Sequence, residues 1–293
     1  MNTVLRYRSY AKLNLFLEVV SRRSDGYHEL ETVFQTVGLY DELSFEPEPH
    51  DLILEGDSVK MPPGRENIVL QAAKLLSDRY GVNRGARMTL DKRIPVAAGL
   101  AGGSGNAAAT LIALNELWEL GLGDAALHAL ALELGSDVPY CLVGGTVAAT
   151  GRGEQLETLP ALAPTWFVLV HPRLHMSTAA VFSHLKLKAP ATRSGTDPGD
   201  AFAACLRALR AGEALSEIYN RLEEVVFVEH PELEAVKQGI LDAGCSVAGM
   251  SGSGPTLFGI CASQADADAV ARGFTERSTS VVQNVGAGVE RVT

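Results

Sequence analysis

The run Pro95-Val96-Ala97-Ala98-Gly99-Leu100-Ala101-Gly102-Gly103-Ser104-Gly105 constrains this chain more than any other segment. It joins a β-like segment at 87–91 to an Ala- and Leu-rich stretch whose composition predicts a helix over about 104–120, stopped by Gly121. Side chains this small let the backbone come close to a bulky anion. The unpaired amides at the start of the helix then point at that anion, with the helix dipole behind them. This is the physics of a phosphate cradle, although the same run would also serve as a tight packing turn between helix and sheet. It is not a Walker A loop, because no Gly-Lys-Ser or Gly-Lys-Thr follows, and it lacks the Gly-x-Gly-x-x-Gly spacing. A second glycine-rich stretch, Gly249-Met250-Ser251-Gly252-Ser253-Gly254-Pro255, precedes an expected strand. Alone it reads equally well as a plain turn. With the first it points to one shared site where two domains meet.

Alternating β-rich segments open the chain at 4–10, 13–20, 30–37 and 43–46, with a loop at 22–28. Asn67 is placed to cap a helix running to Tyr80 and stopped by Gly81, and Asp124 to cap another ending at Gly135. Gly135-Ser136-Asp137-Val138-Pro139 reads as a turn. Further strands are expected after Gly145 and at 166–170, 255–261, 278–284 and 287–292, and helices at 201–211, 214–224, 231–243 and 263–273. These elements mix without strict βαβ alternation, which indicates an α+β fold. At 293 residues the chain is near the upper limit for one core. Two domains are therefore expected, 1–158 and 159–293, with the boundary within 155–164. The polar, Pro- and Gly-rich segment 186–200 reads as a mobile loop over the site.

The charge balance, 25 Lys+Arg against 35 Asp+Glu, gives a net charge of −10 and argues against a nucleic-acid-binding surface. It does not argue against a small phosphorylated ligand, which a few amides and one lysine can hold. The apolar stretch 13–20 contains Asn14 and Glu18 and is too short for a signal sequence, and no run approaches membrane-spanning length. A cytoplasmic location without membrane association is expected. Cys141, Cys205, Cys245 and Cys261 lack metal or redox spacing and read as small buried hydrophobes. Neither Ser104, Ser251 nor Ser253 meets the Gly-x-Ser-x-Gly elbow. Pro172 lies between His171 and His175, so they make a poor metal pair, and no residue is assigned to a metal.

Lys12 stands in a β-like run and Asp137 in a turn. An exposed strand lysine and a capping aspartate are the ordinary readings of both. A lysine buried in such a run would need a partner.

Taken together, Ala11-Lys12-Leu13-Asn14-Leu15, Arg23-Ser24-Asp25-Gly26-Tyr27-His28-Glu29-Leu30, the segment 95–107, the turn 135–139 and the segment 249–255 resemble the 4-diphosphocytidyl-2-C-methyl-D-erythritol kinases. These form a family within the GHMP superfamily of galactokinase, homoserine, mevalonate and phosphomevalonate kinases. The glycine loops indicate the superfamily, and Asp25-Gly26-Tyr27-His28 beside Lys12 and Asn14 indicates the cytidyl member. The resemblance spans nearly the whole chain and is weakest at 175–215. It implies a ribosomal protein S-five second-domain-like N-terminal domain and a ferredoxin-like C-terminal domain around a cleft. It also implies transfer of the γ-phosphate of ATP, accompanied by Mg²⁺, to the 2-hydroxyl of a cytidine diphosphate sugar alcohol in the non-mevalonate route to isoprenoids. No nucleic acid, membrane or obligatory protein partner is implied. By the same resemblance Asp137 accepts the hydroxyl proton, Lys12 offsets the developing charge, and the backbone of 95–105 holds the ATP phosphates. Tyr27 stacks on the cytosine, His28 hydrogen-bonds to it, Asn14 touches the hydroxyl region, and Phe182 is a second ring. The alternatives are another small-alcohol kinase of the superfamily, of homoserine or mevalonate type, and a non-catalytic binding relative.

The loop departs from the family pattern at four positions. Ala97, Ala98 and Ala101 stand where glycine is common, and Gly105 replaces a serine. The alanines must keep negative φ or bear strain, and the missing serine removes a possible hydroxyl contact to phosphate or metal.

Overall fold

The computed structural model describes residues 4–56, 67–186 and 198–292, with residues 198–200 described in backbone only. The interior of the expected loop at 186–200 lies outside the described residues.

Two long antiparallel strands, β1 (Leu5–Arg22) and β2 (His28–Glu48), organise the first sheet. The sequence pattern divides each of them into two, whereas the backbone runs through. The breaks in alternation are absorbed as register shifts between Tyr10 and Ala11, Asn14 and Phe16, and Val19 and Ser21. Such bulges bend a strand without ending it. Each strand can therefore take different neighbours at its two ends. The far half of β2 pairs with β4 (Gly85–Asp91), which carries β3 (Leu52–Gly56) on its other edge. The near half pairs with β5 (Thr146–Thr150), which carries β6 (Gln155–Thr158). Neither β3 nor β6 is read from the sequence, and β6 falls in the stretch expected to hold the domain boundary.

Among the described residues of this half there are four helices. α1 (Ile68–Tyr80) begins as the sequence indicates, with Asn67 Oδ1 accepting from Val69 N at 3.0 Å, and stops at Gly81 with φ 63°. α2 (Gly102–Leu117) starts two residues earlier than expected and ends three residues sooner. Its alanines let it press onto the sheet. Ala107, Ala108, Ala109 and Ala113 are fully buried in a core shared with Leu43, Phe45, Met88, Val69 and Leu76. In α3 (Asp124–Leu134), Gly123 takes the cap position and Asp124 the first turn, where its charge still faces the dipole. The expected turn after Gly135 winds into a short helix, α4 (Val138–Val143).

The second sheet has the order β11-β7-β10-β9, formed by β7 (Trp166–His171), β9 (Val247–Met250), β10 (Leu257–Cys261) and β11 (Ser278–Gln283). Its outer core holds residues of α7 (Glu223–Glu229), α8 (Pro231–Asp242) and α9 (Gln264–Arg272). Leu13, Leu15, Val33, Phe167, Leu169 and Phe258 share a core between the two sheets. α5 (Thr178–His184) and α6 (Pro198–Ala211) complete the helices among the described residues. Two C-terminal segments return to the first sheet: β8 (Tyr219–Asn220), parallel to β1, and β12 (Val289–Val292), antiparallel to it.

The helix expected at 214–224 does not form. The Asn220 side chain donates to Met250 O and Gly252 O, both at 2.8 Å, and accepts from Leu222 N at 2.9 Å. These bonds hold the backbone out of a helix until α7. Cys245 and Cys261, 16 residues apart, meet with their sulfurs 3.0 Å apart, a juxtaposition invisible in their spacing. No helix of the described residues is long and apolar enough to cross a membrane.

His171, at the end of β7, is buried, with Nδ1 3.2 Å from Thr256 Oγ1 and Nε2 3.2 Å from Ser280 Oγ. Burial lowers its pKa to about 4. In the unfolded chain the ring titrates near 6.5, so between these values the unfolded state binds more protons and stability falls as pH falls. The expected loss from this group is about 2 kcal/mol on going from pH 7.5 to pH 5. Urea midpoints at the two pH values measure it. His171→Gln should flatten the difference, and an unchanged slope in the variant would assign the acid sensitivity to other groups.

Candidate active site

The bulged middle of β1 brings the two glycine loops together. Lys12 N donates to Leu100 O at 3.1 Å, which docks the first loop on the strand. The Gly99 carbonyl then accepts from Ser251 Oγ at 2.9 Å and from Lys12 Nζ at 3.2 Å. Gly99 (φ 76°) has no room for a side chain, since a Cβ there would lie 2.0 Å from Ser251 O. Gly252 (φ 55°) faces the same point, with a Cβ site 3.3 Å from Lys12 Nζ. The two loops thus form one junction and line one cleft of about 1180 Å³, as their joint reading anticipates.

Lys12 is only 4% exposed. A buried ammonium needs partners. Its partners are Asn14 Oδ1 at 2.7 Å, the Gly99 carbonyl, the face of Phe34 at 5.4 Å and Asp137 Oδ2 at 3.8 Å. Lys12 is therefore not an exposed strand lysine. Asp137 occupies the N-cap position of α4, yet its side chain makes no capping bond. It lies toward Lys12 and lines the cleft, so the ordinary capping role does not account for it. Asn14 also lines the cleft, but both ends of its amide are engaged, Oδ1 with Lys12 and Nδ2 with Thr32 Oγ1 at 2.9 Å. Thr32 in turn donates to Phe16 O at 2.6 Å. This chain of bonds fixes the position of the Lys12 ammonium.

Every residue from Pro95 to Ser104 lines the cleft. Ala97 and Ala101 take left-handed conformations, with φ 52° and 53°. They therefore do not keep negative φ but carry strain, of about 1–3 kcal/mol each. Such strain persists where surrounding contacts over-determine the loop, here the docking of Leu100 and Gly99. Gly105 stands apart from the rest. Its amide already donates to Ala101 O at 2.9 Å, and a Cβ there would lie 3.3 Å from Ser9 Cβ. It is a packing glycine between α2 and β1. A serine at that position would face the strand, so no hydroxyl is lost to the cleft.

Sequence reading misses the support beneath the loop. Asp41 is fully buried and accepts from Lys92 Nζ at 2.7 Å, Arg93 N at 2.7 Å and Ile94 N at 2.8 Å. Lys92 also donates to Ile94 O and lines the cleft beside Gly102. Asp41 therefore anchors the entrance of the loop to β2. Its position at an unexceptional Tyr-Asp-Glu step in the sequence gives no signal.

The other end of the cleft is aromatic. The hairpin loop between β1 and β2 is closed by Arg23 N donating to Tyr27 O at 2.8 Å, with Asp25 Oδ1 accepting from Tyr27 N at 3.0 Å. Arg152 lies over the Tyr27 ring at 4.7 Å, and Tyr27 is 54% exposed. His28 stacks on Phe182 of α5, with centroids 5.1 Å apart and planes 33° apart. Burial, helped by the charge of Arg22, holds the His28 pKa below its usual value, so the ring is neutral at pH 7. Tyr27, His28 and Phe182 thus share the cleft with Lys12 and Asp137. Thr178 and Ser253, with their hydroxyls 2.9 Å apart, are further lining residues; Ser253 belongs to the second glycine-rich stretch, whereas Thr178 carries no sequence signal.

A cleft with a strained amide-rich loop at a helix start, a lysine–aspartate pair and no nucleophilic serine elbow is the outline of a small-molecule kinase. The family model "GHMP kinases N terminal domain" matches residues 67–145, and "GHMP kinases C terminal" matches 201–278. A homoserine kinase from Cytophaga hutchinsonii has the same fold, with TM-score 0.76 at 20% identity over 99% of this chain and 97% of that one. The 4-diphosphocytidyl-2-C-methyl-D-erythritol kinase of Moorella thermoacetica is 45% identical over 88% of this chain and 90% of its own length. A crystal structure of a 4-(cytidine 5'-diphospho)-2C-methyl-D-erythritol kinase superposes with TM-score 0.79 at 36% identity, covering 98% of this chain and all of the other. The chain belongs to the 4-diphosphocytidyl-2-C-methyl-D-erythritol kinase family of the GHMP kinases.

Proposed function

We propose that this protein transfers the γ-phosphate of ATP to the 2-hydroxyl of 4-diphosphocytidyl-2-C-methyl-D-erythritol, feeding the non-mevalonate route to isoprenoid precursors. One observation carries the reading. The Lys12–Asp137 pair, 3.8 Å apart, shares one cleft with the loop 95–104 and with Tyr27, His28 and Phe182. Phosphoryl transfer is chiefly positioning and charge neutralisation. The substrate oxygen gives its proton to Asp137 and bonds to the γ-phosphorus as the bond from that phosphorus to the ADP oxygen breaks. Lys12 offsets the charge on the attacking oxygen and the phosphoryl group. The amides of residues 99–104, with Ser104, hold the ATP phosphates. Asn14 acts through Lys12, which it positions.

Mg²⁺ fits this arrangement. It keeps most of its coordination for water and phosphate, and the Ser104 hydroxyl is an oxygen donor that lines the cleft at the phosphate loop. Bound there, the ion would neutralise charge on the ATP phosphates. We further propose the division at 158/159, with β8 and β12 returning across it, and a cytoplasmic location, where four free cysteines stay reduced.

The rival substrates are small alcohols without a nucleobase. A coupled assay of ADP release with the cytidyl alcohol, homoserine and mevalonate separates them, and turnover with either of the last two at a comparable rate would overturn the assignment. The aromatic end gives a second check. Removing a base-stacking ring costs about 1–3 kcal/mol. Tyr27→Ala should therefore raise KM for the cytidyl substrate about 10- to 100-fold and leave KM for ATP nearly unchanged. Equal changes in both constants would remove Tyr27 from the base site.

A further inference from the structure

The cytidyl reading leaves the substrate's diphosphate without a partner. We infer that Arg152 binds it, with its guanidinium face on Tyr27 and its edge toward the phosphates; this rests on the proposed substrate. The diphosphate joins the base to the alcohol that carries the reacting hydroxyl, so it must lie between the aromatic end of the cleft and the Lys12–Asp137 end. The β5–β6 turn spans that interval. It is fixed to β2 by Leu30 N donating to Gly151 O at 2.7 Å and by Gly151 N donating to Glu29 Oε1 at 3.2 Å. A Cβ at Gly153 would lie 3.6 Å from the Phe34 ring, which is the ring beneath Lys12. Arg152, one residue earlier, lies 4.7 Å from the Tyr27 ring centroid and lines the cleft.

A guanidinium stacked on a ring keeps its in-plane N–H groups free, and these match a diphosphate bidentately. Nearby acids do not use them up. Among the described residues Glu154 is the one carboxylate within 4 Å, with Oε1 3.9 Å from Nε. Its other oxygen accepts from Arg152 N at 2.5 Å. Asp25 is taken by Arg23 and the Tyr27 amide. Of the other cleft-lining cations, Lys12 serves the hydroxyl end, Lys92 is paired with Asp41, and Arg22 stands opposite His28 at the base end of the cleft. In a chain of net charge −10, a multiply charged substrate needs a local cation of this kind.

Calorimetric titration of the full chain with cytidine, CMP and CDP tests the assignment. Arg152→Met keeps apolar cover over Tyr27 and removes the charge. It should weaken CDP binding about 10- to 100-fold while cytidine affinity stays within about 2-fold, which also shows that the variant is folded. Arg152→Lys should recover part of the CDP affinity. Equal weakening of cytidine and CDP would reduce Arg152 to a support for the ring, and unchanged CDP binding would remove it from the site; either overturns the proposal. If the unaltered protein bound none of the three, the cytidyl substrate itself would fall, and this assignment with it.

Discussion

Asp137→Asn lowers the turnover number by about three orders of magnitude, the middle of the range for removing a general base. The amide keeps the shape of the side chain but cannot take up the hydroxyl proton. Because Asp137 makes no capping bond to α4, the substitution removes no bond that holds the helix, and folding should be unaffected. Lys12 keeps Asn14 and the Gly99 carbonyl, and the amides of residues 99–104 are untouched. ATP should therefore bind as before. Stopped-quench measurement of a single turnover, alongside calorimetry of ATP binding, separates the two effects. Turnover near the normal rate would exclude Asp137 as the base, and a parallel loss of ATP affinity would point to a damaged cleft.

The second large effect is structural. Gly99→Ala places a Cβ 2.0 Å from Ser251 O, a backbone atom that no rotamer change can move. It also forces a side chain into φ 76°. The two loops must separate, which breaks the bonds from Ser251 Oγ and Lys12 Nζ to the Gly99 carbonyl. We expect a loss of about 3 kcal/mol in stability from the clash and the left-handed strain. Turnover should fall as well, since the ammonium loses one of its anchors. Gly103→Ala is the control, because the nearest atom to its Cβ site is Ile68 Cγ2, at 3.7 Å. Denaturant midpoints for the two variants make the comparison. Similar midpoints would mean that Gly99 is not where the loops are joined.

The same residues show how far a sequence reading reaches. Local chemistry was legible where one or two neighbouring residues set it. The Asn67 cap, the Gly81 stop and the small-residue run before α2 all act through the backbone within a turn or so of themselves. The long strands look broken in the sequence because bulges disturb alternation without ending a strand, and only the partner strand reveals that the pairing continues. The helix expected near 214–224 was lost to Asn220, whose side-chain partners lie about thirty residues away.

At the site the division is similar. Residue types named the chemistry, namely a glycine-rich anion loop, a lysine, an aspartate and a Tyr-His pair. They could not distinguish Gly99, held against Ser251, from Gly105, packed on Ser9. They gave no hint of Asp41 and Lys92 beneath the loop or of Arg152 over Tyr27.

Residue type and order set the local conformations and the reactive groups of this chain, because caps, glycines and side-chain chemistry act over a few bonds. Which of those groups meet depends on the packing of distant segments. Lys12, Gly99, Asp137 and Ser251 come from four separate stretches of the chain, and their distances follow from how the bulged hairpin, the helices and the second sheet pack around one cleft.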